Sequence, residues 1–164
     1  MSDFLAFVLR HPVGTLTAIA ALASDQLTKL LVIGTLSVGE SWPVDSFIRL
    51  THVTNSGSAL HLFSVHTFAI IFIPTIGIGV LFALYWPRPR TGIRTQISFG
   101  LMFAGVVGNL IDRLFLGHVT DFIDVIPGLV FNVADASIAI GLIGFAWDLQ
   151  VEASRSLSRM RLRS

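Results

Sequence analysis

The sequence predicts a mainly α-helical membrane protein, with four transmembrane helices and a small β-sheet on the extracytoplasmic side. Three observations lead there. Of the 164 residues, 53% are hydrophobic and only 13% charged, with a mean hydropathy of +0.77, a balance that a water-soluble domain of this size could hardly cover with polar surface. Four apolar runs of about 20 residues recur along the chain, each long enough at ~1.5 Å per residue to cross a ~30 Å hydrocarbon core. The polar residues near those runs gather at their outer ends. Net charge is +1, so nothing points to nucleic acid, and there is no Cys, which excludes disulfides, thiolate zinc sites and a cysteine nucleophile together.

Taken in order, residues 1–12 form a short amphipathic lead with Arg10, and residues 13–34 make the first span. Arg10, the apolar residues 13–22 and Ala21-Leu22-Ala23 also fit a cleavable secretory signal. The thin charge of that lead, and Asp25, Gln26 and Lys29 just behind the would-be cleavage point, favour an uncleaved helix. In the outer connector 35–66, residues 47–53 are rich in β-branched and aromatic side chains and read as a strand, closed by the turn composition Asn55-Ser56-Gly57-Ser58. The second span is 67–86, followed by the stiff inner turn Pro87-Arg88-Pro89-Arg90. The third is 96–116, the second outer connector 117–129, and the fourth span 130–150. The tail 151–164, rich in Arg and Ser, reads as frayed or lying on anionic lipid. No internal repeat or domain boundary is visible, so one membrane domain is expected over 1–164. Arg10, Arg88, Arg90, Arg94, Arg155, Arg159, Arg161 and Arg163 fall on one side, against Lys29, Arg49 and Arg113 on the other. The positive-inside rule then puts both termini in the cytoplasm and the polar cluster on the outer face. Glycine pairs at 77/79, 105/108 and 141/144 suit close helix packing, and Gly108, next to Asn109, leaves room for a ligand chain.

Asn109, Asp112 and Arg113 stand at i, i+3 and i+4 on one face of the third span, where Arg113 can neutralise Asp112. Asp25 and Lys29, at i and i+4, read as a local ion pair at the outer end of the first span. Asp121 falls in a connector, as a solvated residue or as a catalyst. Asp135 follows Asn132 early in the fourth span, as a helix cap or as a catalyst. Asp124 reads as solvated. Two carboxylates facing one water can share a proton, the ionised one activating the water and the neutral one protonating a scissile carbonyl. The five histidines lack H-x-x-x-H and H-E-x-x-H spacing, so no metal site or cofactor is expected. No G-x-S-x-G occurs, and Ser24 with Lys29 has poor dyad spacing. Rival readings are a small transporter or channel subunit using Asp25, Asp112 and Asp135 as an ion path, and a membrane protein without chemistry.

The chain resembles the bacterial lipoprotein signal peptidases (signal peptidase II), integral-membrane aspartic peptidases of four transmembrane helices. The resemblance runs through Asp25-Gln26-Leu27-Thr28-Lys29, Asn55-Ser56-Gly57, Gly108-Asn109-Leu110-Ile111-Asp112-Arg113, Gly117-His118-Val119-Thr120-Asp121-Phe122 and Phe131-Asn132-Val133-Ala134-Asp135, in the family's order. It implies a catalytic dyad of Asp121 and Asp135. Asn55, Asn109, Arg113 and Asn132 would line the site, with Gly57, Gly108 and Ala134 beside them, and Asp25, Lys29 and Asp112 would support the fold. It also implies a surface sheet and a loop over the site, and cleavage of diacylglyceryl-modified prolipoproteins just before the lipid-bearing Cys. The enzyme would work as a monomer among membrane lipid, without metal or cofactor, and be blocked by globomycin-type inhibitors. Ser58-Ala59-Leu60 departs from the family's usual Ala-Ala-aromatic and bears on the adjoining loop.

Overall fold

Pro12 at the first helical position, where its missing N–H costs nothing, opens α1 (Pro12–Thr35). The computed structural model describes residues 6, 8–44, 46–56, 76–77, 79–80, 83, 92–126 and 128–161. The buried residues of α1 are Gly14, Asp25, Lys29 and Val32, one stripe at helical spacing. Leu16, Ile19, Leu27, Leu30 and Leu31 stay exposed. That inversion, polar or small groups inward and leucines outward, is what lipid as solvent demands.

Among the described residues the next long helix is α2 (Ile93–Phe115), followed by α3 (Val133–Arg161). α2 packs against both α1 and α3, which touch each other far less. Small residues sit where the backbones approach: a Cβ on Gly100 of α2 would lie 2.5 Å from the Gly14 carbonyl oxygen of α1, and one on Gly141 of α3 would lie 2.7 Å from the Ser98 carbonyl oxygen of α2. Phe99, Met102 and Phe145 fill the seam, the two phenyl rings meeting edge to face at 5.0 Å. Among the described residues three helices are long and apolar enough to cross a membrane. The expected span 67–86 and the turn 87–90 lie outside the described residues, except that Ile76, Gly77, Gly79, Val80 and Ala83 are helical.

At one end of the helices sits a four-stranded antiparallel sheet in the order β1 (Ser41–Trp42), β2 (Arg49–Asn55), β3 (Val119–Ile126), β4 (Leu129–Phe131). The strand expected at 47–53 is displaced to Arg49–Asn55, and Asn55, expected in a turn, pairs with Val119. The connector 117–129 is mostly strand. Gly117, with φ of +78°, ends α2 in the left-handed conformation, donates to the Arg113 carbonyl at 3.2 Å and turns the chain into β3. The fourth span starts later than expected, since Val130 and Phe131 belong to β4. The tail is not frayed as far as it is described: α3 stays helical to Arg161, about 43 Å at the usual rise, well beyond the hydrocarbon core.

Candidate active site

The N-terminus of α3 is where the polar residues converge. Asn132 is its N-cap: Asn132 Oδ1 accepts the Asp135 backbone N–H at 2.9 Å, while Asp135 Oδ2 accepts the Asn132 N–H at 3.4 Å. This is an Asn/Asp version of the reciprocal capping box, which satisfies two amides that a helix start leaves open. A second cap comes from far away in sequence. Asp25 of α1 accepts the Ala134 N–H at 2.8 Å through Oδ1, and Ala134 is completely buried. The cap expected for Asp135 is therefore present, and it coexists with a set of contacts that face the sheet.

Asn132 Nδ2 donates to Asp121 Oδ1 at 2.7 Å and to Asn109 Oδ1 at 3.1 Å. Asn109 Nδ2 in turn donates to Asp135 Oδ1 at 2.7 Å. Asp121 lies opposite Val53 in the β2–β3 pair, so the Asn55 side chain two residues along β2 reaches it diagonally, Nδ2 to Oδ2 at 2.9 Å. One side chain, Asn132, thus touches both aspartates, and amide donors hold every carboxylate oxygen of the pair. Asp121 is buried, and burial pushes its carboxyl above the usual carboxylate range; the Asn55 hydrogen bond opposes the rise, and the negative charge of Asp135 adds to it. Asp135 is half-buried. Such a pair can hold one carboxyl neutral beside one ionised.

Behind it lies a buried ion cluster. Lys29 Nζ is 2.9 Å from Asp25 Oδ2, 2.9 Å from Asp112 Oδ2 and 3.0 Å from Asn109 Oδ1. Gln26 Nε2 adds hydrogen bonds to Asp25, Asp112 and the Gly108 carbonyl. Asp112 Oδ2 also accepts the Thr120 N–H at 3.1 Å, tying the start of β3 to the end of α2.

Several expectations change. The partner of Asp112 is Lys29, with Arg113 turned away: one residue further along, it points some 100° around the helix and donates to the Asn109 carbonyl at 3.3 Å. The Asp25–Lys29 pair is not merely local, since both residues are buried and reach two other elements, α2 and α3. Gly108 does not leave room for a ligand chain; a Cβ there would lie 2.6 Å from Asp25 Oδ2, so the approach serves α1. Asp124 is not solvated. It is 4% exposed and accepts from Arg49 Nε at 2.6 Å and Thr51 Oγ1 at 2.9 Å. Gly57 and Ser58-Ala59-Leu60 lie outside the described residues. Gln26 and Thr120 contribute contacts that sequence reasoning gave no role, and Thr120 Oγ1 is buried without a hydrogen-bond partner. Among the described residues no group of three His, Asp or Glu side chains is arranged to hold a metal ion.

The signal peptidase (SPase) II family description matches residues 17–151. A lipoprotein signal peptidase of Dehalococcoides mccartyi is 38% identical over 132 residues, covering 78% of this chain and 82% of that protein. One from Desulforapulum autotrophicum is 42% identical over 139 residues, covering 77% and 84%. A solved structure described as a bacterial membrane enzyme superposes with a TM-score of 0.77 at 32% identity, over 87% of this chain and 90% of that one.

Proposed function

Because the chain belongs to the signal peptidase II family, the lipoprotein signal peptidases, we propose that it removes the signal peptide from diacylglyceryl-modified prolipoproteins by activating water on the Asp121–Asp135 pair. It is an aspartic peptidase of the bacterial membrane. The observation that carries the residue assignment is the shared Asn132, bonded to both aspartates although they arrive on different elements.

In this reading the ionised carboxylate takes a proton from a water poised against the peptide bond before the lipid-bearing Cys. The neutral carboxyl protonates the carbonyl oxygen, and the tetrahedral intermediate collapses with return of a proton to the leaving amine. Asn55, Asn109 and Asn132 keep the two acids aimed, and Arg113, at the rim, suits a substrate carbonyl. Four spans, both termini in the cytoplasm and an outer-face site would bring the cleavage point of an exported precursor to this depth. Two acyl chains, at roughly 0.8 kcal/mol per buried CH₂, would hold it there, so part of the lipid binding energy orients the scissile bond. The enzyme acts as a monomer without metal or cofactor, and a globomycin-type peptide inhibits by lying between the aspartates.

The test is turnover of one precursor with and without its diacylglyceryl group, by the wild type and by Asp121→Asn, Asp135→Asn and Asp124→Asn. Either dyad change should lower turnover by about 10²-fold or more, since general acid–base groups contribute on that scale. Asp124→Asn should retain most turnover, and EDTA should change nothing. Equal cleavage of the unlipidated precursor, or an active Asp121→Asn enzyme, contradicts the proposal.

A further inference from the structure

We infer that Lys29 is a positioning residue for the dyad, acting through Asn109: its ammonium fixes the amide orientation that turns Asn109 Nδ2 onto Asp135 and keeps that carboxylate the proton acceptor. The inference rests on the dyad assigned above. The two ends of an Asn amide are nearly alike in shape and differ in whether they accept or donate. An ammonium can only donate, so the Asn109 atom 3.0 Å from Lys29 Nζ is its oxygen. Asn132 Nδ2 donates to the same oxygen at 3.1 Å, which leaves the nitrogen for Asp135 at 2.7 Å. A cation on the carbonyl end also polarises the amide and strengthens its N–H as a donor. Asp135 is therefore held by a neutral group that carries the influence of a charge behind it.

The burial of Lys29 calls for such a reason. A buried ion cluster adds little stability over apolar packing, because the cost of stripping water from three charges offsets their attraction. Fixing the end of α1 would need only the bond to Asp25. Lys29 is 2% exposed and spends a third contact on Asn109. Among the described residues, the charged groups that the surrounding elements bring towards Asp135 are Asp25 and Lys29 from α1, Asp112 and Arg113 from α2, and Asp121 from β3. Only Lys29 touches the amide side chain that holds Asp135; Arg113 meets the Asn109 main chain. Burial raises the Asp121 carboxyl, on the opposite side of the pair from this relay.

Removing Lys29 alone would strand two carboxylates, so the variant to make is Lys29→Met with Asp112→Asn, which keeps the net charge of the cluster at −1. Its references are the wild type, which has the same cluster charge, and Asp112→Asn alone, whose cluster is neutral. With turnover normalised to folded enzyme, the pair should lower kcat roughly tenfold and move the acid limb of the kcat–pH profile up by about one unit, with KM for the lipidated precursor unchanged. Asn109→Ala, which leaves the ion cluster intact, should give the same shift, and combining it with the Lys29 change should add nothing further. A structural role would lower the folded fraction and leave the limb in place. An unshifted limb in Asn109→Ala overturns the inference even if the Lys29 variant does not fold, and matching shifts in Asn109→Ala and in the folded Lys29 pair uphold it. A shift in Asn109→Ala without one in the folded Lys29 pair removes Lys29 from it. An Asp135→Asn enzyme that still turns over would instead overturn the dyad itself.

Discussion

Asp121 and Asp124 stand three residues apart on β3, and their surroundings push their acidities in opposite directions. Burial raises Asp121, whereas the hydrogen bonds from Arg49 and Thr51 lower Asp124. The linkage signs follow. A lowered carboxyl stabilises the fold above its unfolded value of about 3.9 and loses that contribution as pH falls through its depressed value. A raised one contributes below about 3.9 and loses its contribution as pH rises through its elevated value. Asp124→Asn should therefore melt below the wild type at pH 7, with the gap closing towards pH 3. Asp121→Asn should compare better with the wild type at pH 7 than at pH 4. Melting in detergent across that range checks both, and slopes of the same sign would be wrong. At this scale the asparagines and aspartates around the site were legible as a constellation, because polar groups beside apolar runs stand out. Their pairings were not. Lys29 with Asp112, and Asp25 with Ala134, join residues more than 80 positions apart, and local spacing could show only the i, i+4 bond.

Among the elements, α2 sits at the centre, and its glycines set how closely α1 and α3 can lie. A Cβ on Gly105 would collide with the Ala134 carbonyl oxygen, beside Asp135; one on Gly141 would press on α2 a good distance from the site, against Met102 and the Ser98 carbonyl. Each Ala substitution should cost about 1–3 kcal/mol, as overpacking does. They should part company in function: Gly141→Ala should keep kcat per folded enzyme, while Gly105→Ala shifts the start of α3 and lowers it. Thermal melts with active-site-normalised turnover separate the two. The spans were readable because hydropathy and length report directly on lipid. β3 was not, because Val119, Thr120, Asp121 and Phe122 are all buried, so the alternation of a one-sided strand is missing and the acids look like loop residues. The far end of α3 escaped for the converse reason: Arg and Ser carry no span signal, yet nothing in them breaks a helix.

For the whole molecule the basic residues make the orientation testable. Since the chain lacks Cys, single cysteines at Ser46 and Thr91 can be labelled in intact cells without background. An impermeant reagent should modify position 46 and spare 91; the reverse would move the site to the cytoplasm. The remote cap on α3 has a consequence for how the enzyme comes into being. Asp25 leaves the ribosome more than 100 residues ahead of the Ala134 amide that it will accept. Until both are in the bilayer and in contact, the start of α3 lacks the partner for its Ala134 N–H, a costly state in lipid. A nascent chain halted before α3 emerges is thus catalytically silent, and proteolytic capability switches on only once α1 and α3 have found each other.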